Sequence, residues 1–129
     1  MQALGRQILA EFYDCSPELL KNEQYIATAM VDACVAGKAT VVTSTFHSFS
    51  PFGVSGVVVI AESHVAIHTW PEYAYAAVDI FTCGETIEPW LLFDYLAKAF
   101  KSNHSSKMEI KRGLFETGGA KLAHKPENV

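Results

Sequence analysis

Gln7–Tyr13 mixes apolar and polar positions in a way that predicts a first strand. Ser16-Pro17-Glu18 then supplies an N-cap, a proline at the first helical position and an early carboxylate. Leu19, Leu20, Ile26, Met30, Val31 and Cys34 recur near helical spacing, which predicts one helix ending at Gly37 as a left-handed cap. The β-branched stretch Thr40–Phe49 and the run Val54–Ala61, joined by the turn Pro51-Phe52-Gly53, predict a hairpin. Val65–Trp70 continues extended, Pro71-Glu72-Tyr73 turns, and Ala76–Thr82 gives another strand closed by Gly84. Glu88-Pro89 opens a second helix through Lys101, with Leu92, Leu96, Ala99 and Phe100 on one face. Lys107–Lys111, alternating charge with apolar residues, predicts a last edge strand. The order predicts an α+β two-layer sandwich: an antiparallel β-sheet with two helices packed on one face.

At 129 residues, half of them hydrophobic, the chain is long enough for one core and one domain, residues 1–129. The polar, small segment from 114 to 129, with Gly118-Gly119 and Lys125-Pro126, is expected to be a loose C-terminal tail. A net charge of −4 with no basic run argues against nucleic acid and anionic membranes as partners, and mildly favours a cationic small molecule. Cys15, Cys34 and Cys83 are odd in number and form no C-x-x-C pair, which fits a reducing compartment. No stretch has the length of a signal peptide core or a membrane span, so a cytoplasmic location is expected.

The triplet Glu62-Ser63-His64 changes this picture, because it interrupts a run otherwise patterned as buried strand, Gly53 to Trp70. Polar groups taken out of water cost free energy unless paired, so a carboxylate, a hydroxyl and the imidazoles of His64 and His68 in so short a stretch point to chemistry. A metal site at His64-x-x-x-His68 is rejected, since in a strand the two rings lie roughly 13 Å apart at about 3.3 Å per residue. No phosphate-binding loop is present, because Gly118-Gly119 lacks the strand before it and the helix after it.

Read with Phe49, Trp70-Pro71-Glu72 and Phe81-Thr82-Cys83-Gly84, the triplet resembles the short prokaryotic form of the S-adenosylmethionine decarboxylases, which depend on a self-made pyruvoyl group. The resemblance runs from about Gly5 to Gly113 and is densest from Thr40 to Gly84. Ser48, where a basic residue is common, and Ala74, where glycine is common, depart from it. The resemblance implies the same fold and a chain cut between Glu62 and Ser63, with Ser63 becoming the pyruvoyl group that condenses with the substrate amine as a Schiff base. It implies His68 as the processing base, Ser55 as the hydroxyl that assists processing, and Cys83 as the proton donor in turnover. Phe49 would stack on the adenine, Glu72 would accept hydrogen bonds from both ribose hydroxyls, and Trp70 would add to the aromatic wall. No pyridoxal phosphate and no metal are then needed. The product would be the aminopropyl donor for spermidine synthesis.

Singly, each residue has a plainer reading: His68 as a core imidazole, Ser55 as a turn-exit residue, Cys83 as a small hydrophobe, Trp70 as core. His64 is the weakest candidate, and Glu11 and Asp14 are further candidates for meeting a cationic substrate. Two rival functions remain, namely the same machinery acting on arginine or ornithine, and a non-catalytic homodimeric module. Distance adds an expectation about assembly: His68 lies roughly 16 Å along an extended chain from Ser63, and Ser55 roughly 26 Å the other way, at about 3.3 Å per residue. Unless the chain reverses, one protomer cannot unite them. A homodimer is therefore expected, each site drawing Ser63 and Cys83 from one chain and Ser55, His68, Phe49 and Glu72 from its mate.

Overall fold

The computed structural model describes residues 1–124 and contains six strands, three helices and one short 3-10 turn. They run β1 (Gln2–Tyr13), α1 (Pro17–Lys21), α2 (Glu23–Ala36), β2 (Thr40–Ser48), β3 (Val54–Ala61), β4 (Ser63–Trp70), the 3-10 turn Pro71–Tyr73, β5 (Tyr75–Cys83), α3 (Pro89–Ala99) and β6 (His104–Phe115). Every strand pair is antiparallel, in the order β2-β3-β4-β5-β1-β6. This is the expected α+β two-layer sandwich.

Pleating sorts each strand into two faces. Ile8, Ala10 and Phe12 of β1, Val65 and Ile67 of β4, and Val78 and Ile80 of β5 are buried, forming one core with Leu20, Ile26, Met30, Leu92, Leu96 and Phe100 of the helical layer. Phe12 anchors it, with Phe93 at 5.0 Å and Phe100 edge-on at 5.8 Å. Thr69 is the buried polar pin between layers: its hydroxyl accepts from the Val54 amide and donates to the Leu20 carbonyl, both at 2.9 Å. The opposite face is open and partly apolar, with Val59, Met108 and Ile110 all more than a third exposed.

Several boundaries differ from the sequence reading. Asn22 divides the single predicted helix: it closes α1, and its side chain then accepts from the Tyr25 amide at 3.0 Å to start α2. Gly37 is not left-handed (φ −83°); Lys38 takes that conformation at φ 66°. α3 stops at Ala99, with Lys101 at φ 55° just beyond. Glu62-Ser63 does not sit within one long strand but at the reversal between β3 and β4. β6 spans twelve residues along β1, so Leu114 and Phe115 belong to the sheet and not to a loose tail. The last five residues of that expected tail lie outside the described residues.

Ala74 ends the 3-10 turn with φ 52°, a left-handed conformation that strains a side chain with a Cβ. Ala74→Gly removes this strain but loosens the unfolded chain, so a net stabilisation of about 0.5–1 kcal/mol is expected, read as a higher denaturant midpoint at unchanged slope. Burial pushes the thiol of Cys15 up to about 11 and that of Cys34 up to about 12. Both are therefore protonated and shielded at pH 8, whereas Cys83 is only half-buried at the end of β5. Alkylation of the native protein at pH 8, followed by peptide mass mapping, is expected to label Cys83 first and the other two only on unfolding.

Candidate active site

The candidate residues gather at two places, set apart by the length of β4. At its start, Ser63 has φ 124°, a region that side chains rarely adopt, and its hydroxyl is buried with no hydrogen-bond partner among the described residues. Ser63 pairs with Thr82, placing it one register step from Cys83 on β5. Cys83 in turn pairs with Gly5, where a Cβ would come within 2.7 Å of the Cys83 sulfur. Glycine at position 5 is thus what makes room for the thiol. Gly84 follows at φ 85° and turns the chain away, as expected for an accessible cysteine. Glu62, Cys83 and Gly84 line a cavity of about 440 Å³.

At the far end of β4, Ser55 and His68 face each other in register on adjacent strands. Ser55 Oγ lies 2.7 Å from His68 Nδ1. The hairpin reversal brings these two together, although Ser55 and His68 are thirteen positions apart in the chain. They line a shallow hollow of about 300 Å³ with His47 and Phe46. Phe49 is 52% exposed and stacks edge-on against His47 at 4.6 Å. Its amide donates to the Gly53 carbonyl at 2.8 Å, closing the loop that presents the ring. Trp70, two residues beyond His68, shares the open face and is 39% exposed, so the plain reading of a core tryptophan fails. Glu72 follows, exposed, in the 3-10 turn.

Cross-strand register shows what surrounds this second cluster. One row across the open face reads Ser106, Glu11, Ala77, His68, Ser55, His47. The adjacent row is aromatic: His104, Tyr13, Tyr75 and Trp70 stack in turn with centroids 5.3–5.5 Å apart. Glu11 of the first row is tied to this one, accepting a 2.5 Å hydrogen bond from the Tyr75 hydroxyl. Burial first, and then the Glu11 carboxylate, push the Tyr75 phenol well above the usual tyrosine range, so it stays a donor. Asp14 lies beyond the strand in the turn at φ 54°. His64 packs edge-on against Phe81 at 5.7 Å, away from the His68 cluster.

Ser63 and His68 are five residues apart on a strand that does not reverse, hence roughly 16 Å apart at about 3.3 Å per residue. Within one chain the structure places Ser63 one register step from Cys83, and gathers Ser55 with His68, Trp70 and the Phe49 loop, but does not join the two groups. The sequence reading missed Gly5, whose role appears only through its pairing with Cys83. It also missed His124, whose ring lies 3.1 Å from the Glu62 carboxylate across 62 positions of sequence and which no local pattern marks.

The family model described as S-adenosylmethionine decarboxylase matches residues 6–113. The protein named S-adenosylmethionine decarboxylase proenzyme in Thermotoga petrophila is 54% identical over 119 residues, covering 92% of each chain. Its namesake in Fervidobacterium nodosum is 53% identical over 129 residues, all of this chain and 90% of the relative. The crystal structure of the adenosylmethionine decarboxylase from Aquifex aeolicus superimposes with a TM-score of 0.84 at 32% identity, covering 90% of this chain and 96% of that one. With the matched region spanning β1 to β6 and both residue clusters, the chain belongs to the S-adenosylmethionine decarboxylase family.

Proposed function

We propose that the chain cuts itself between Glu62 and Ser63 and then, as a homodimer, decarboxylates S-adenosylmethionine to the aminopropyl donor of spermidine synthesis in the cytoplasm. One observation carries the reading: the Ser63 hydroxyl is buried, unpartnered among the described residues, and held at φ 124° beside the strand end that bears Cys83. An orphaned buried hydroxyl costs about 1–3 kcal/mol, and backbone strain of this kind a comparable amount, so both are retained against a stability cost. The proenzyme name of the relatives supports the same reading.

The processing chemistry closes without another reactant except water. Ser63 Oγ bonds to the Glu62 carbonyl carbon as its proton passes to a base; the peptide C–N bond breaks and the freed amine is protonated, leaving an ester. Loss of the Cα proton of residue 63 expels the Glu62 carboxylate and leaves a dehydroalanine. Its imine tautomer takes up water and releases ammonia, so the second fragment begins with a pyruvoyl group. That group supplies an electron sink for the carboxylate's departure. The fit is favourable, since the precursor hydroxyl is already desolvated and its residue lies one register step from Cys83, the candidate proton donor, on the neighbouring strand.

The other residues act by position. The 2.7 Å contact with Ser55 engages Nδ1 of His68 and leaves Nε2 to move a proton. Phe49 and Trp70 offer exposed rings for a purine, and Glu72 offers two acceptor oxygens to a ribose diol. Separation along β4 supports two composite sites, in which His68, Ser55, Phe49 and Glu72 of one copy serve Ser63 and Cys83 of the other. The partly apolar open face, which carries the His68 cluster, is the surface suited to such pairing.

Denaturing mass spectrometry is expected to find residues 1–62 and a blocked 63–129 fragment, with Ser63→Ala remaining whole. Co-folding Ser63→Ala with His68→Ala chains should cut only the His68→Ala chain. Mixed dimers in which nothing is cut would place His68 beside its own Ser63. In processed enzyme, Glu72→Gln should weaken S-adenosylmethionine binding by about one to two decades, equivalent to roughly 1.5–3 kcal/mol. Faster release of carbon dioxide from arginine or ornithine than from S-adenosylmethionine would reassign the substrate.

A further inference from the structure

Beyond β6, residues 116–124 stay against the fold. The Ala120 amide donates to the Thr117 carbonyl at 3.2 Å, turning the segment back over the cavity that holds Glu62 and Cys83. Among the described residues, two side-chain contacts hold it. Lys121 Nζ lies 3.2 Å from the Glu85 carboxylate, with both side chains more than three-quarters exposed, a pair that solvent renders weak. His124 Nδ1 donates to Glu62 Oε1 at 3.1 Å, and these side chains are only 29% and 20% exposed. The better-sheltered contact is therefore on the residue whose carbonyl lies on the acyl side of the proposed cut.

We infer that His124 is a positioning residue for self-cleavage: it grips the Glu62 side chain and so sets the Glu62 carbonyl toward the Ser63 hydroxyl. This rests on the self-cleavage reading above. Cohesion of the fragments does not need the contact, because β3 pairs with β4, and β1 with both β5 and β6, across the cut. What the contact does control is local. Residue 62 lies at the reversal between two strands, outside both ladders, and its side chain is the handle by which a distant segment can orient it. The match to the family model ends at residue 113, whereas the Fervidobacterium nodosum relative aligns over all of this chain, the strap from 117 to 124 included.

Cleavage half-times of freshly refolded chains test the assignment. His124→Ala, and a chain ended after Ala120, should each cut about three- to tenfold more slowly than wild type. His124→Gln, which keeps a side-chain donor, should recover most of the rate. The effect should vanish when Glu62 is already Ala, so that the double variant is no slower than Glu62→Ala alone. In the uncut Ser63→Ala background, Glu62→Ala should raise hydrogen exchange across residues 121–124, which reads the contact without any cleavage. Wild-type rates in both His124→Ala and the shortened chain, or a double variant slowed by the product of the single effects, would overturn the assignment. A wild-type chain that never cuts would overturn the self-cleavage reading and this role with it, whatever the exchange result.

Discussion

The pleat and rise of β4 are the constraint on which the site depends. An extended strand sends alternate side chains to opposite faces and advances about 3.3 Å per residue. Val65, Ile67 and Thr69 therefore enter the core, while His64, Ala66, His68 and Trp70 reach the open face. The same rise fixes Ser63 and His68 at opposite ends, and no side-chain rotation bridges the interval. The helical layer locks this register, since moving β4 by one residue would drive His64 and His68 into the apolar core and Val65 and Ile67 out of it.

Elements with a strong period or a plain cap were legible in the chain, and those decided by pairing were not. Ser16-Pro17 marks the start of α1, and the β-branched run after Thr40 marks β2, because both signals are local. Asn22 reads as one polar residue on a helix, and only its backbone at φ −90°, ψ 100° reveals a double cap. β6 was underestimated because a strand bonded on one edge can carry polar side chains along its whole length; its ladder with β1, not its composition, sets its ends. At the site, the Glu62-Ser63 motif, Cys83 and the Phe49 and Glu72 positions stood out by resemblance. The hairpin reversal at Glu62 did not, because no glycine or proline announces it.

The two departures from the family pattern have different physical weight. Ala74 sits where a left-handed backbone favours glycine, so its departure costs stability at a turn next to Glu72. Ser48 donates a 2.7 Å hydrogen bond to the Glu23 carboxylate at the start of α2, tying the end of β2 to the helical layer beside Phe49. A basic residue there would meet the same carboxylate as an ion pair. The tether is kept and its charge is lost. Lys21, with its ammonium 5.7 Å from the Phe52 ring, braces the same loop from α1.

Strand order gives the proposed cut an unusual outcome. Residues 1–62 contribute β1, β2 and β3, residues 63–129 contribute β4, β5 and β6, and β1 lies between β5 and β6. Severing the chain would thus leave a donor strand clamped on both edges by the other polypeptide, with a second seam where β3 meets β4. Neither piece could leave without stripping β1 from two ladders and opening the shared core. The bond at the hairpin tip is dispensable to cohesion: residue 62 lies outside the ladders, and the pairings of its neighbours, Thr40 with Ala61 and Thr82 with Ser63, run across strands and not through the severed bond.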